Sequence, residues 1–169
     1  METSSRKGFS LIELLVVIAI VGILAAITVG GFNIAREKAR FAVAKQEFHN
    51  IHNAVQLYIT EYGNYPSDAA RGVAPAGLAQ YLSGGVWPTP PWPGSYFDWD
   101  RDDNQGIYQI SVRFCPAGSV DTLACQFPEE SWASGFNVDS SVYYCISGPC
   151  KAHIGQPPSY PGYCIYNCP

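Results

Sequence analysis

The stretch that decides the fold is residues 9–32, which read FSLIELLVVIAIVGILAAITVGGF. From Leu14 to Ile27 no side chain is charged, and every side chain is apolar apart from the bare Gly22. As a helix, these 24 residues extend roughly 36 Å at 1.5 Å per residue, enough to cross a hydrocarbon core of about 30 Å. The sequence therefore predicts a membrane-spanning helix over residues 9–32.

Glu13 is the one charged residue within this stretch. An acidic residue in an apolar membrane segment costs on the order of 3 kcal/mol and normally needs a partner. An ordinary secretory signal has an uninterrupted apolar region that is discarded after cleavage, and Glu13 fits that pattern poorly. Cleavage between Gly8 and Phe9 would instead keep the helix and create an amine four residues before Glu13. The amine and the carboxylate could pair within one helix or between two neighbouring chains.

Residues 7–14, KGFSLIEL, followed by the long apolar run, resemble the class III signal of type IV pilins and type II secretion pseudopilins. In that family a prepilin peptidase cuts after the glycine and methylates the new first residue, and the glutamate at the fifth mature position supports assembly. The resemblance implies a cleaved leader at residues 1–8, a methylated amine on Phe9 and an assembly role for Glu13.

The function implied by the resemblance is that of a structural subunit of a type IV pilus-like or type II secretion pseudopilus filament, whose core residues 9–32 would form. The implied partners are copies of itself, other pilins, the prepilin peptidase, the inner-membrane assembly machinery and membrane lipid. The expected location is the inner (cytoplasmic) membrane, crossed once with the head outside the cytoplasm. After assembly the filament would be periplasmic or extracellular.

An amphipathic continuation of the helix is predicted over residues 33–61. Its apolar side chains recur at three- and four-residue intervals, the signature of one helix face: Phe41, Ala44, Phe48, Ile51, Val55, Tyr58 and Tyr62. Gly63 and Pro66 are expected to end the helix.

Residues 62–169 are predicted to form a globular head. Pro and Gly become frequent there, which indicates turns. A short helix is expected over residues 73–82, and strands over residues 106–114 and 142–146. A small antiparallel sheet packed on the helix would give an α+β, pilin-like fold.

All six cysteines lie in the last third of the chain, an arrangement that indicates disulfides formed in an oxidising compartment. Six cysteines permit fifteen connectivities, of which proximity favours Cys115 with Cys125, Cys145 with Cys150, and Cys164 with Cys168. Such staples would stabilise a C-terminal region that has few aliphatic residues. The spacing lacks the CxxC pairs of a zinc site.

An acidic string offers oxygen ligands for a hard cation such as calcium: Asp98, Asp100, Asp102, Asp103 and Asn104. The spacing does not match an EF-hand, whose loop needs glycine at position six and glutamate at position twelve. A solvated acidic turn is the alternative. Calcium is the only cofactor that the sequence suggests.

Other functional classes find little support in the sequence. The net charge is -4, with no basic block for a nucleic acid. Ser119, Asp121 and His153 lack the motif spacing of a catalytic triad, so no enzyme is expected. A single-pass membrane-anchored extracytoplasmic binding module or a minor tip adhesin remains an alternative, since aromatic residues could form a contact surface: Trp87, Trp92, Trp99, Tyr160 and Tyr163. These aromatics could instead fill the core of the head.

Overall fold

A computed structural model describes residues 8–169, with the backbone alone for residues 27–31. The chain divides into two compact units, Met1–Lys38 and Ala39–Pro169. A single long helix, α1, covers Leu11–Tyr62 and contributes to both units. Residues 1–7 of the predicted leader lie outside the described part of the chain.

The end of α1 confirms the predicted boundary to within one residue. Gly63 follows it with a φ of 73°, in the left-handed region that favours glycine, and its N–H donates to the carbonyl oxygen of Ile59 at 2.8 Å. This geometry closes the last helical turn before the loop that contains Pro66.

The head contains one four-stranded sheet in the order β1-β2-β3-β4. The strands are β1 (Tyr96–Asp102), β2 (Ile107–Arg113), β3 (Ser141–Ser147) and β4 (Tyr163–Tyr166). Short 3-10 turns occupy Ala79–Tyr81, Ser83–Gly85, Thr122–Ala124 and Ser131–Ala133. The two predicted strands are confirmed as β2 and β3, whereas only a 3-10 turn forms in the expected short helix.

The sheet is antiparallel across β1, β2 and β3, as predicted, but β4 runs parallel to β3. Residues 148–162 separate these two strands and carry the chain back along the sheet, because a parallel neighbour requires a crossover rather than a hairpin. Gly148, with a φ of 89°, begins this connection. A Cβ there would lie 1.9 Å from the carbonyl oxygen of Gly106, so only glycine fits.

One face of the sheet packs on the part of α1 that follows Lys38. Phe48 and Val55 of α1 are buried in one cluster with Phe97, Trp99 and other apolar residues of the strands. The rings of Phe48 and Phe97 meet edge to face, with centroids 5.2 Å apart. The expected packing of the helix on a small sheet is therefore confirmed.

The opposite sheet face is buried as well, although it is polar. Because side chains alternate along a strand, Asp98 and Asp100 of β1 share this face with Gln109, Ser111 and Arg113 of β2. The segment that follows Cys150 covers them. Gln109 bonds to the backbone N–H and C=O of Lys151 at 3.0 and 2.8 Å.

Several of the aromatics considered as a contact surface lie in the core. Trp92 and Trp99 are buried, and Trp87 and Tyr163 are partly buried against the same cluster. Tyr160 is half-buried and donates its hydroxyl to the carbonyl oxygen of Val138. These aromatics therefore serve mainly to fill the head.

Candidate functional site

The predicted cleavage point lies in an exposed, non-helical segment just before α1. Residues 8–10 have no regular secondary structure and are exposed, and the Phe9 side chain is 87% exposed. A Cβ added to Gly8 would meet no heavy atom within 4 Å. The Gly8–Phe9 bond is therefore open to a protease, with the apolar helix beginning two residues later at Leu11.

Ser10 and Glu13 form a reciprocal capping box at the start of α1. The Ser10 backbone N–H and the Ser10 hydroxyl each donate to Glu13 Oε2 at 2.9 Å. In return, the Glu13 N–H donates to Ser10 Oγ at 3.3 Å. The carboxylate thus has partners in its own chain.

Both of these bonds end on the same carboxylate oxygen, Oε2. An ionised carboxylate has about four acceptor positions on its two oxygens. Glu13 is therefore held in a fixed orientation while it keeps capacity for a further donor. Ser10 was not singled out from the sequence, although the spacing S-x-x-E before an apolar run is the signal for a capping box.

The helix beyond Glu13 presents apolar side chains on all sides. From Leu14 to Ile23 the large apolar side chains are 51% to 63% exposed. A helix with apolar residues all round is normally covered by lipid or by other protein. Among the residues whose side chains are described, no helix combines the length and the apolar character needed to cross a membrane.

Asp98 and Asp100, two of the predicted calcium ligands, are buried beside Arg113. Arg113 Nε lies 3.2 Å from Asp98 Oδ2, and Arg113 Nη2 lies 3.2 Å from Asp100 Oδ1. Gln109 Nε2 and Ser111 Oγ donate to Asp100 Oδ2 at 3.0 and 3.1 Å. Burial, followed by the nearby Asp100 carboxylate, raises the pKa of Asp98 to about 6.

The remaining predicted ligands lie at the turn between β1 and β2. Asp102 Oδ1 accepts the N–H groups of Asn104 and Gln105 at 2.9 and 3.0 Å, and the Gln105 bond lowers its pKa. Asp103 Oδ2 pairs with Arg101 Nη2 at 2.8 Å, and that hydrogen bond lowers the pKa of Asp103.

Asp98 and Asp100 therefore share Arg113 as a partner, whereas Asp102 and Asp103 bond to residues of the turn and to Arg101. Within residues 8–169, no group of three or more His, Cys, Asp or Glu side chains is placed to hold a metal ion. The calcium site stays a prediction that this arrangement does not support. Asp98 and Asp100 occupy a strand, where the sequence had suggested a loop.

Each of the three disulfides joins two cysteines that are neighbours in the sequence, as expected. Cys115 pairs with Cys125, Cys145 with Cys150, and Cys164 with Cys168. The first closes a nine-residue loop after β2, the second pins the start of the covering segment, and the third closes the chain end after β4. The expected disulfide-stapled C-terminal region is confirmed.

The three residues considered as a catalytic triad are engaged in local hydrogen bonds. Ser119 Oγ donates to the backbone oxygen of Asp121 at 3.0 Å. His153 Nδ1 accepts the N–H of Gly155 at 3.2 Å. These bonds organise two separate loops.

The comparisons with known proteins concern the same N-terminal region. Residues 3–29 match the family model of the prokaryotic N-terminal methylation motif. Fimbrial protein EcpC of Eikenella corrodens is 37% identical over 79 residues, 46% of this chain and 52% of that protein. Type IV major pilin protein PilE1 of Neisseria gonorrhoeae is 39% identical over 69 residues, 41% of this chain and 32% of that protein.

A secretion protein is similar to the same extent. Type II secretion system core protein G of Pseudomonas aeruginosa is 37% identical over 67 residues, 40% of this chain and 47% of that protein. The chain spans about half the length, or less, of these curated relatives. No solved structure is significantly similar to the chain. The methylation motif and the two kinds of relative agree: the N-terminal part of this chain is similar both to type IV pilins and to a type II secretion protein.

Proposed function

We propose that the chain is a structural subunit of a type IV pilus-like or type II secretion pseudopilus filament. The observation that carries this proposal is the geometry at residues 8–13. An exposed Gly8–Phe9 bond lies just before a helix that displays apolar side chains on all sides. The first turn of this helix contains Glu13, whose carboxylate accepts from Ser10. Those residues lie within the matched methylation motif.

In this proposal prepilin peptidase removes residues 1–8 and methylates Phe9. Residues 9–32 hold the precursor in the inner membrane, in contact with lipid. The assembly machinery then transfers the subunit into a filament, where other copies and other pilins cover the same apolar side chains. Replacing lipid by protein leaves the apolar surface buried throughout, so the transfer needs no large change in hydrophobic burial.

The disulfides support a head on the outer side of the inner membrane. Disulfides persist in oxidising compartments and are rare in the cytosol, and the structure pairs all six cysteines. A head folded in the periplasm matches this chemistry. The N-terminal leader would then stay in the cytoplasm.

Glu13 is proposed to pair with the amine of Phe9 on a neighbouring subunit. Ser10 occupies one carboxylate oxygen of Glu13 and fixes its direction. The second oxygen remains able to accept a charge-assisted hydrogen bond, which is stronger than a neutral one in an apolar environment. One such pair per subunit would set the register of the filament.

The proposal is tested by intact-mass analysis of the protein from its native membrane. We expect a chain that begins at Phe9 and carries one methyl group. Gly8→Val should leave the precursor uncut. Gly22→Val is the matched control, because a Cβ at Gly22 also meets no heavy atom within 4 Å, and this variant should still be cut. A mature chain that begins near Thr28 would show an ordinary secretory signal and overturn the proposal.

A further inference from the structure

A cavity of about 380 Å³ lies beside the part of α1 that follows Lys38. Its volume falls within the range of small-molecule sites, roughly 300–1,000 Å³. Glu47 and Asn50, which lie three residues apart on one face of α1, form one wall. Residues 83–89, in the loop that leads to β1, form the opposite wall.

Hydrogen bonds and prolines hold both walls of this cavity in place. Asn50 Oδ1 accepts the N–H of Ser83 at 3.3 Å, and Asn50 Nδ2 donates to Glu47 Oε2 at 3.3 Å. Trp87 Nε1 donates to a backbone oxygen of β1 at 3.3 Å. Three prolines within residues 88–91 restrict the backbone of the loop. The cavity is therefore preorganised, which lowers the entropic cost of binding a ligand.

Some polar groups of the cavity keep their hydrogen-bonding capacity. Within residues 8–169 the hydroxyls of Ser83 and Thr89 form no hydrogen bond, and the Glu47 carboxylate forms no ion pair. Each hydroxyl can donate and accept, and the carboxylate can accept from further donors. A ligand that carries several hydroxyl groups would match this combination of donors and acceptors.

Apolar surface lies next to these polar groups. Val86 is 70% exposed, and Trp87 and Pro88 are half-buried; all three line the cavity. The Trp87 side chain also packs against the core of the head, so the position of its ring is fixed. A pyranose ring has hydroxyl groups around its edge and C–H groups on its faces, and it could therefore contact both kinds of surface at once.

The charge of the cavity restricts the ligand further. Glu47 is the one charged residue that lines it among the described residues. An anionic ligand would meet a like charge there, which disfavours binding. A neutral ligand could instead donate a hydroxyl to the carboxylate, in a charge-assisted hydrogen bond that is stronger than a neutral one.

We propose that this cavity binds a neutral pyranose sugar. The sugar hydroxyls would bond to Glu47, Ser83 and Thr89, and one C–H face of the ring would pack on Trp87 and Pro88. The site lies entirely within the residues that follow Lys38. It would add a binding activity to the proposed structural role, and it does not depend on filament assembly.

Saturation-transfer NMR tests the proposal with the full chain in a zwitterionic detergent, which has no sugar headgroup to compete for the site. The neutral probes are methyl β-D-glucopyranoside and methyl β-D-galactopyranoside. We expect saturable binding of at least one of them at millimolar concentration. The corresponding methyl uronides carry a carboxylate on the same ring, and they should bind about tenfold more weakly because Glu47 repels them.

Variants of the polar groups link the binding to this cavity. Ser83→Ala/Thr89→Val should weaken binding of the neutral probe about tenfold, because the ligand loses two hydrogen-bonding partners. Thr60→Val/Ser67→Ala changes the same two residue types at exposed positions outside the cavity, and this control should bind as the wild type does. Thermal melting of each variant shows whether the head stays folded.

Glu47→Gln gives a readout that a folding defect would not produce. The amide removes the negative charge, so the difference in affinity between the neutral probe and its uronide should shrink to near zero. Absence of saturable binding of both neutral probes would overturn the proposal. Unchanged affinity in folded Ser83→Ala/Thr89→Val would overturn it too. Binding of choline without binding of either glycoside would show that the cavity takes an organic cation, and the sugar proposal would be wrong.

Discussion

Arg113 and Asp98 form an ion pair on the sheet face that points away from α1, with Nε 3.2 Å from Oδ2. Arg113 is 98% buried, and it is also paired with Asp100. Its Nη1 donates to the backbone oxygens of Ala152 and Asp139 at 2.8 and 3.1 Å. One guanidinium therefore pairs with both buried carboxylates of β1 and ties the C-terminal segment to the sheet.

Arg113→Leu should destabilise the head strongly. It leaves two buried carboxylates without their cation, and breaking a buried pair from one side typically costs about 3–5 kcal/mol. Urea denaturation of the full chain in detergent, followed by tryptophan fluorescence, measures the loss. Arg101→Leu is the control, since Arg101 and its partner Asp103 are more exposed and surface pairs contribute little. Equal losses in the two variants would contradict a special role for Arg113.

The raised pKa of Asp98 predicts how the stability of the head depends on pH. Burial and the Asp100 carboxylate raise this pKa from 3.8 to about 6, although Arg113 opposes the shift. The folded state then binds the proton more tightly than the unfolded state. The stabilisation is fully present below about pH 4 and is lost as the pH rises through about 6. Asp98→Asn should therefore remove a component on the order of 2 kcal/mol between these pH values.

Asp102 provides a control of opposite sign for this pH effect. Hydrogen bonds from Gln105 lower its pKa, so its contribution is present at neutral pH and is lost as the pH falls through the lowered pKa. We expect the stability of wild type minus that of Asp98→Asn to fall as the pH rises from 4 to 7. The stability of wild type minus that of Asp102→Asn should instead increase as the pH rises through the lowered pKa of Asp102. A difference for Asp98 that is constant with pH would contradict the buried, proton-binding carboxylate.

The sequence predicted the helix, two strands and the disulfide pairs because each depends on local pattern or spacing. It did not reveal β1, although Phe97 and Trp99 alternate there with Asp98 and Asp100. Alternating aspartates normally indicate a solvated face. Here that face is buried by Lys151, about 50 residues further along, through bonds to Gln109. A partner so distant in sequence leaves no local signal.

The N-terminal motif could be recognised for a different reason, while the processing and assembly roles of its residues stay predictions. Gly8, Phe9 and Glu13 stand in a short motif whose residues act within two helical turns. The calcium hypothesis depended instead on five oxygen ligands converging, and convergence is a property of the tertiary structure. Arg113 pairs with Asp98 and Asp100, and Arg101 pairs with Asp103. The position of neither arginine could be predicted from sequence spacing alone.

Chelation of calcium should leave the melting temperature of the protein unchanged. The oxygens of Asp98 and Asp100 already accept from Arg113, and Asp103 already pairs with Arg101. A cation would have to displace these donors. Thermal melting in EDTA and in millimolar calcium checks this expectation, with magnesium as the control ion. A calcium-specific rise in melting temperature that Asp102→Asn abolishes would restore the calcium site at the β1–β2 turn.

The last prediction concerns Ser10, whose hydroxyl makes two of the three bonds of the capping box. Ser10→Ala removes both, and loss of a serine N-cap typically costs about 1 kcal/mol of helix stability. In an apolar layer the carboxylate also loses a partner that water cannot replace. We expect normal cleavage after Gly8 but a reduced yield of sheared filaments. Ser10→Thr keeps the hydroxyl and should assemble normally.

The Glu13→Val variant separates capping from pairing between subunits. Valine removes the one charge of the apolar segment, so the subunit should be cleaved and retained in the membrane. It should nevertheless fail to enter filaments, because the Phe9 amine of a neighbour is left unpaired. If Ser10 acts only by orienting the Glu13 carboxylate, adding Ser10→Ala to Glu13→Val should change neither membrane retention nor filament yield. Shearing combined with membrane fractionation measures both quantities. A further loss of membrane retention in the double variant would show that Ser10 stabilises the helix independently of Glu13, and normal filaments from Glu13→Val would remove the proposed pairing.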